Sequence, residues 1–166
     1  MSIIKEQNRA LCERYPFLIP SNRWSGKKIT DGAGFWPGSP DAVPDWDFGY
    51  TELDEMPSGW RIAFGEQLCG DIKAELERAG TLDDYRITQI KEKYGSIRWY
   101  GNFCTQELND IISKYENMSK RTCICCGKPA TRITTGWISP YCDNCCPGRQ
   151  SMPIDEFYSE VDMEGL

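Results

Sequence analysis

The chain has 166 residues, 27% of them charged and 40% hydrophobic, with a net charge of −6 and no histidine. That length holds one domain with a real core, or a modest domain plus a stapled appendage, and the missing histidines exclude Ser-His and Cys-His dyads together with the commonest general base. No stretch approaches the roughly 20 apolar residues of a membrane span, and nine cysteines, an odd number grouped in Cys-x-x-Cys pairs without a signal-like leader, fit a reducing compartment better than a disulfide framework. A cytoplasmic protein with no membrane partner is the expectation.

Ser2 is placed to cap a helix running to about Arg14, with Ile4, Ala10 and Leu11 on one side, and Pro16 ends it. Residues 15–60 are dense in Pro, Gly and aromatics, among them Tyr15, Phe17, Trp24, Trp46, Phe48, Tyr50 and Trp60. This is too apolar for a linker and too broken for long helices, and it predicts a long wrapping loop with its aromatics pinned to the core. Within it, residues 31–57 contain Asp31, Asp41, Asp45, Asp47, Glu52, Asp54 and Glu55 and no base. Residues 150–166 repeat the pattern, so these two segments hold twelve of the 25 acids and none of the 19 bases.

From Trp60 the periodicity is helical, with Phe64, Leu68, Ile72 and Leu76 on one stripe and Gly80 as terminator. The segments 85–93 and 97–103 then flank Gly95-Ser96, a pair suited to a type II′ hairpin turn. If Tyr94 pairs with Ile97, one face carries Ile90, Tyr94, Ile97, Trp99 and Phe103 as core, and the other Gln89, Lys91, Lys93, Arg98 and Tyr100 as a basic patch. A further helix is expected from about Thr105 to Met118, with Leu108, Ile111, Ile112, Tyr115 and Met118 on its buried side.

The strongest motif is Cys123-x-x-Cys126 followed, after fifteen residues, by Cys142-x-x-Cys145. Two thiolate pairs at this spacing can surround one tetrahedral ion, and without histidine a four-cysteine structural zinc site is the expectation, with iron as the second candidate metal. Gly127 after the first pair fits a tight knuckle, and Thr131–Ile138 reads as a small hairpin joining the two. Cys125 and Cys146 adjoin ligands and are candidate substitutes, whereas Cys12, Cys69 and Cys104 read as ordinary core thiols. Tyr141-Cys142-Asp143-Asn144-Cys145 resembles the second knuckle of GATA-type fingers, but Cys146-Pro147-Gly148 disfavours a helix directly after it, and the groove-reading element is not visible.

Enzymatic patterns are weak. Asp83 or Asp84 followed by Gln89-Ile90-Lys91 loosely resembles a Mg²⁺-dependent nuclease core, yet Gln89 stands where an acid is needed, and Asp45-x-Asp47 fails the calcium-loop template. The expected organisation is α+β: a helix, β-hairpin, helix core over residues 1–118 with the wrapping loop at 15–60, a zinc-ribbon-like or treble-clef-like module at 119–149, and an acidic tail at 150–166.

The segments RYPFLIP, YTELDEMPSGWRIAFGEQLC, YRITQIKEKYGSIRWY and RTCICCGKPAT through GWISPYCDNC resemble an uncharacterised family of bacterial and phage proteins. The resemblance covers most of the stretch from Arg14 to Cys145 and implies one cooperative unit in a bacterial host cell, with no activity to carry over. The expected function is a non-enzymatic zinc-binding interaction protein. Its partner is expected to be a protein meeting the acidic aromatic loop around Asp45, Trp46 and Asp47. A phage-encoded inhibitor of a host defence or transcription protein, mimicking nucleic acid with its acids, is the alternative. A nucleic-acid module using Lys91, Lys93, Arg98 and Tyr100 is the third.

Overall fold

The computed structural model describes residues 3–22, 24–29, 47–148 and 150–164, with backbone alone for 162–164. Helices mix with two small antiparallel sheets in an α+β arrangement. The elements are α1 (Ile3–Arg14), the single turn α2 (Ser58–Trp60), α3 (Glu66–Ala79), β1 (Ile87–Lys93), β2 (Ser96–Gly101), α4 (Gln106–Ser119), β3 (Arg132–Thr134), β4 (Pro140–Tyr141), β5 (Ser151–Pro153) and α5 (Ile154–Glu164). Among the described residues no helix is long and apolar enough to cross a membrane.

The chain divides into two compact units that alternate along the sequence. The first comprises Met1–Glu55, Cys69–Ile90 and Trp99–Leu108, and the second Met56–Leu68, Lys91–Arg98 and Asn109–Leu166. This division cuts across the three consecutive segments read from the sequence.

In the first unit the core is aromatic. Phe17 meets the rings of Tyr85 and Trp99 edge-on, at 5.8 and 6.5 Å between centroids, and the Trp99 indole N–H donates to the Tyr85 hydroxyl at 3.0 Å. Edge-to-face pairs set the positive ring edge against a negative face, and the buried indole finds the acceptor it needs. Tyr15 and Phe17 are thus pinned as expected, whereas Trp24 is 72% exposed, and Phe35, Trp36 and Trp46 lie outside the described residues. On α1 the buried residues are Asn8 and Cys12, with Ile4 exposed. The Asn8 amide donates to the Phe48 carbonyl at 2.8 Å, so a polar contact rather than the apolar face read from the sequence orients this helix. The proposed Ser2 cap lies outside the described residues.

Phe64, Leu68, Ile72 and Leu76 are all buried, the first two within the second unit and the last two within the first. Gly80, at φ +70°, ends α3 with its own N–H on the Glu77 carbonyl and the Thr81 N–H on the Leu76 carbonyl. A left-handed residue there lets the last carbonyls be satisfied. A π-helical turn, Arg61–Gly65, precedes α3.

The hairpin corrects the sequence reading. Its turn is Tyr94-Gly95, with φ of +52° and +77°, and Ser96 already belongs to β2. Two positive-φ central residues make a type I′ turn, whose twist matches the flanking strands. Tyr94 therefore leaves the core face and is 71% exposed, while Ile90, Ile97 and Trp99 remain buried.

In the second unit, β3 is the centre of a sheet ordered β4-β3-β5, with Ile133 opposite Pro140 on one side and Met152 on the other. Residues 150–166, read from the sequence as an acidic tail, supply both the edge strand β5 and helix α5. Arg121 holds α5 by an ion pair to Asp155 at 2.5 Å and by its guanidinium over the Tyr158 ring. Within this unit Trp60, Phe64, Tyr115, Ile133 and Ile154 form the buried interior.

Candidate metal centre and adjoining cleft

Each cysteine pair sits in a turn that brings its sulfurs to one side. In the first, the Gly127 N–H returns to the Cys123 carbonyl at 3.0 Å and the Cys123 N–H donates to the Lys128 carbonyl at 2.8 Å. Gly127 holds φ +76°, and a Cβ there would lie 2.6 Å from the Gly59 carbonyl oxygen. Only glycine satisfies both the turn and that approach. In the second, the N–H groups of Cys145 and Cys146 both donate to the Cys142 carbonyl. A backbone bond from the Ile124 N–H to the Pro140 carbonyl, 3.0 Å, ties the first turn to the strand entering the second.

The result is a four-sulfur cluster: the Sγ atoms of Cys123, Cys126, Cys142 and Cys145 all lie within 4.8 Å of one another. A tetrahedral ion with metal–sulfur bonds of about 2.3 Å sets neighbouring sulfurs about 3.8 Å apart. The Cys126–Cys142 separation is 3.6 Å, which fits that geometry and is far beyond the roughly 2.05 Å of a disulfide. The donor set therefore fits a metal ion such as zinc. All four positions of such an ion would be filled by protein, leaving none for a substrate.

The crowded sulfurs shift two of the cluster thiols, Cys123 and Cys145, in opposite directions. Burial pushes the Cys123 thiol up, but the N–H groups of Cys142, Cys126 and Cys125 and the Cys126 thiol outweigh it and bring the group down to about 7. Amide donors stabilise a thiolate as they do in metal knuckles. Cys145 is pushed up to about 12 by hydrogen bonding with the sulfurs of Cys142, Cys126 and Cys123, and a bound cation would displace protons from the cluster. Burial and the neighbouring sulfurs also raise Cys125. Neither Cys125 nor Cys146 joins the cluster. Cys12 and Cys69 are buried as expected, but Cys104 is exposed, because it follows β2 in an irregular segment.

A clamp from Ser58–Trp60 grips the first knuckle. The Gly59 N–H donates to the Ile124 carbonyl at 2.9 Å, the Ser58 hydroxyl to the Cys125 carbonyl at 3.2 Å, and the Trp60 indole N–H to the Thr122 carbonyl at 2.9 Å. A Cβ on Gly59 would stand 2.2 Å from the Cys123 carbonyl oxygen. The sequence reading passed over this role because Ser58 and Gly59 look like a turn before a helix. The close approach of two glycines, Gly59 and Gly127, is what identifies it.

Beside the metal segment lies a cleft of about 370 Å³ lined by Glu92, Lys93, Tyr94, Gly136, Trp137 and Ile138. Its two aromatics stand at the tips of two turns and are 71% and 69% exposed. Ile138 packs under Gly95, where a Cβ would come to 3.1 Å of its Cγ2, and the loop carrying Trp137 is held by the Thr134 hydroxyl, which donates to the Trp137 carbonyl. The dipeptides Tyr94-Gly95 and Gly136-Trp137 were the available signals, since a residue beside a turn glycine is carried outward.

Of the basic hairpin residues, Lys93 is exposed, its ammonium 5.4 Å from the Tyr94 ring centroid. Arg98 is half-buried and committed to Glu116 at 3.3 Å and to the Ser96 hydroxyl and Ile97 carbonyl. Lys91 is half-buried and Tyr100 is 42% exposed. Of the acidic aromatic loop, Asp45 and Trp46 lie outside the described residues. Asp47 pairs with Lys5, whose hydrogen bond and charge hold its carboxyl below the usual range, and Arg9 covers the Phe48 ring at 4.2 Å. Asp83 and Asp84 sit exposed on a single turn before β1. Compared with known proteins, the chain matches no protein family, no curated protein and no solved structure.

Proposed function

We propose that this chain is a non-enzymatic zinc-binding interaction protein whose partner is another protein, docked at the Tyr94–Trp137 cleft. The observation that carries the reading is the closed four-cysteine cluster, which spends every ligand position on the fold. The three-stranded sheet and its two knuckles make a zinc-ribbon-like module, because β5 rather than a helix follows the second knuckle. Exposed Trp and Tyr at a concave site are the residue types that dominate protein interfaces, where large rigid side chains bury area at little entropic cost. A nucleic-acid partner is less favoured, since Arg98 is already paired with Glu116. The acidic loop is also less favoured as the contact surface, since Asp47 and Phe48 are engaged by α1.

The test is recovery of the tagged chain from its own cells after nuclease treatment, beside Trp137→Ala. A stoichiometric protein retained by the parent and lost from the variant is the expected result. Retention by both, or loss of all bound material on nuclease treatment, would overturn the reading.

A further inference from the structure

We infer that the Tyr94–Trp137 cleft takes an extended acidic segment of the partner, with an apolar side chain seated against the two rings and a carboxylate at Lys93. This rests on the docking reading above and names the chemistry of what docks. The cleft's walls are apolar, formed by Tyr94, Trp137 and Ile138, and its volume of about 370 Å³ lies at the small end of ligand sites, the size of one or two side chains. Its two charged side chains, Glu92 and Lys93, are not equivalent. The Glu92 carboxylate is half-buried and accepts the Gly95 N–H at 2.7 Å, so it keeps its charge but is held against the backbone of the turn. Lys93 is exposed beside the Tyr94 ring, and among the described residues it forms no ion pair.

The open site therefore presents one exposed cation on the rim of an apolar floor. A single carboxylate next to an apolar anchor matches that pattern, gaining a charge-assisted hydrogen bond in a partly desolvated setting. A nucleic-acid strand does not match it, because its regularly spaced phosphates would meet a single exposed cation. The opening between two turn tips suits an extended chain better than a helix.

The experiment uses the metal-loaded full chain and two blocked pentapeptides, Asp-Phe-Asp-Leu-Asp and Lys-Phe-Lys-Leu-Lys, with a fifteen-residue thymidine oligonucleotide as a third probe. The readout is the indole N–H resonance of Trp137, assigned with Trp137→Phe. The acidic peptide should shift it saturably and bind at least about tenfold tighter than the basic one, a difference within reach of one charge-assisted contact. Lys93→Glu, an exposed substitution whose metal content should stay unchanged, should invert that preference, and Tyr94→Ala should weaken both peptides.

Equal responses to the two peptides, no saturable shift with either, or an unchanged preference in Lys93→Glu would overturn the inference. So would an oligonucleotide shift abolished by Tyr94→Ala, which would assign the cleft to nucleic acid. Should the acidic peptide fail while Trp137→Ala still releases the cellular protein partner, the chemistry is wrong and the docking site stands. Should Trp137→Ala leave that partner bound, the docking site itself is wrong.

Discussion

The indole of Trp60 donates its N–H to the carbonyl of Thr122, 2.9 Å away and one residue before the first cysteine of the cluster. Trp60 is fully buried, so this bond satisfies a donor that has no access to water and fixes the entry to the knuckle. Trp60→Phe keeps most of the volume and orphans the carbonyl, and it should cost about 1–3 kcal/mol. Trp60→Ala adds a cavity and should cost about 3–5 kcal/mol. Denaturant titration of the metal-loaded protein checks both, and equal stability of Trp60→Phe and the parent would remove the hydrogen bond from the account.

Gly59→Ala should weaken metal retention as well as stability, because its Cβ would press on the Cys123 carbonyl oxygen and the Ile124 backbone, neither of which is a flexible end. Gly148→Ala meets nothing within 4 Å and serves as the control. Competition with a chromophoric chelator reads the difference. Identical transfer rates for the two variants would show that the clamp does not bear on the metal.

Cys126→Ser should abolish stoichiometric metal and unfold at least the surroundings of the sheet β4-β3-β5, because the binding free energy of a structural zinc is folding free energy. Cys125→Ser and Cys146→Ser should each keep one ion per chain, since neither sulfur joins the cluster. Native mass spectrometry counts the ion, and loss of metal from Cys146→Ser would reassign a ligand.

Alkaline pH should destabilise the first unit. Burial, with Asp54 adding to it, pushes the Cys12 thiol up from 9.0 to about 12, and burial pushes the Tyr85 hydroxyl up from 10.0 to about 12 against the opposing bond from Trp99. Both raised groups favour folding while protonated, so their contribution is complete below about pH 9 and is lost as the pH climbs toward 12. Stability measured from pH 8 to 11.5 should fall with a slope that Cys12→Ala reduces at its lower edge. A flat profile would contradict the burial of both groups.

Tyr94 occupies a left-handed position, φ +52°, that a bulky side chain adopts at a cost. Tyr94→Asn supplies the residue that a type I′ turn prefers and should stabilise the protein by about 0.5–1 kcal/mol, while releasing the partner. Such opposed effects mark backbone strain kept for function. A thermal melt that falls for Tyr94→Asn would assign the tyrosine a packing role instead.

Much of this was legible from residue spacing. The i, i+4 stripe of Phe64, Leu68, Ile72 and Leu76 needs nothing beyond helical geometry, and two Cys-x-x-Cys pairs without a competing histidine leave few ligand sets. Tyr94 was misplaced because an aromatic amid strand residues reads as core, whereas turn twist outweighs its side chain's preference for burial. The segment 150–166 hid β5 and α5 behind its acids: Met152 and Ile154 carry the packing, and five carboxylates nearby read as solvated chain. The role of Ser58–Trp60 was invisible for a different reason, since a close backbone approach leaves no periodic trace.

The two units alternate through six stretches of sequence, so the chain passes between them five times. Neither can be excised, transplanted or synthesised as one uninterrupted fragment. During translation Trp60 and Phe64 emerge some eighty residues before Cys142 and Cys145. The apolar side chains of Trp60 and Phe64 are therefore synthesised well before the second cysteine pair of their own unit. A chain cut short before β4 would lack half of the four-cysteine cluster and the strands β4 and β5 that flank Cys142 and Cys145.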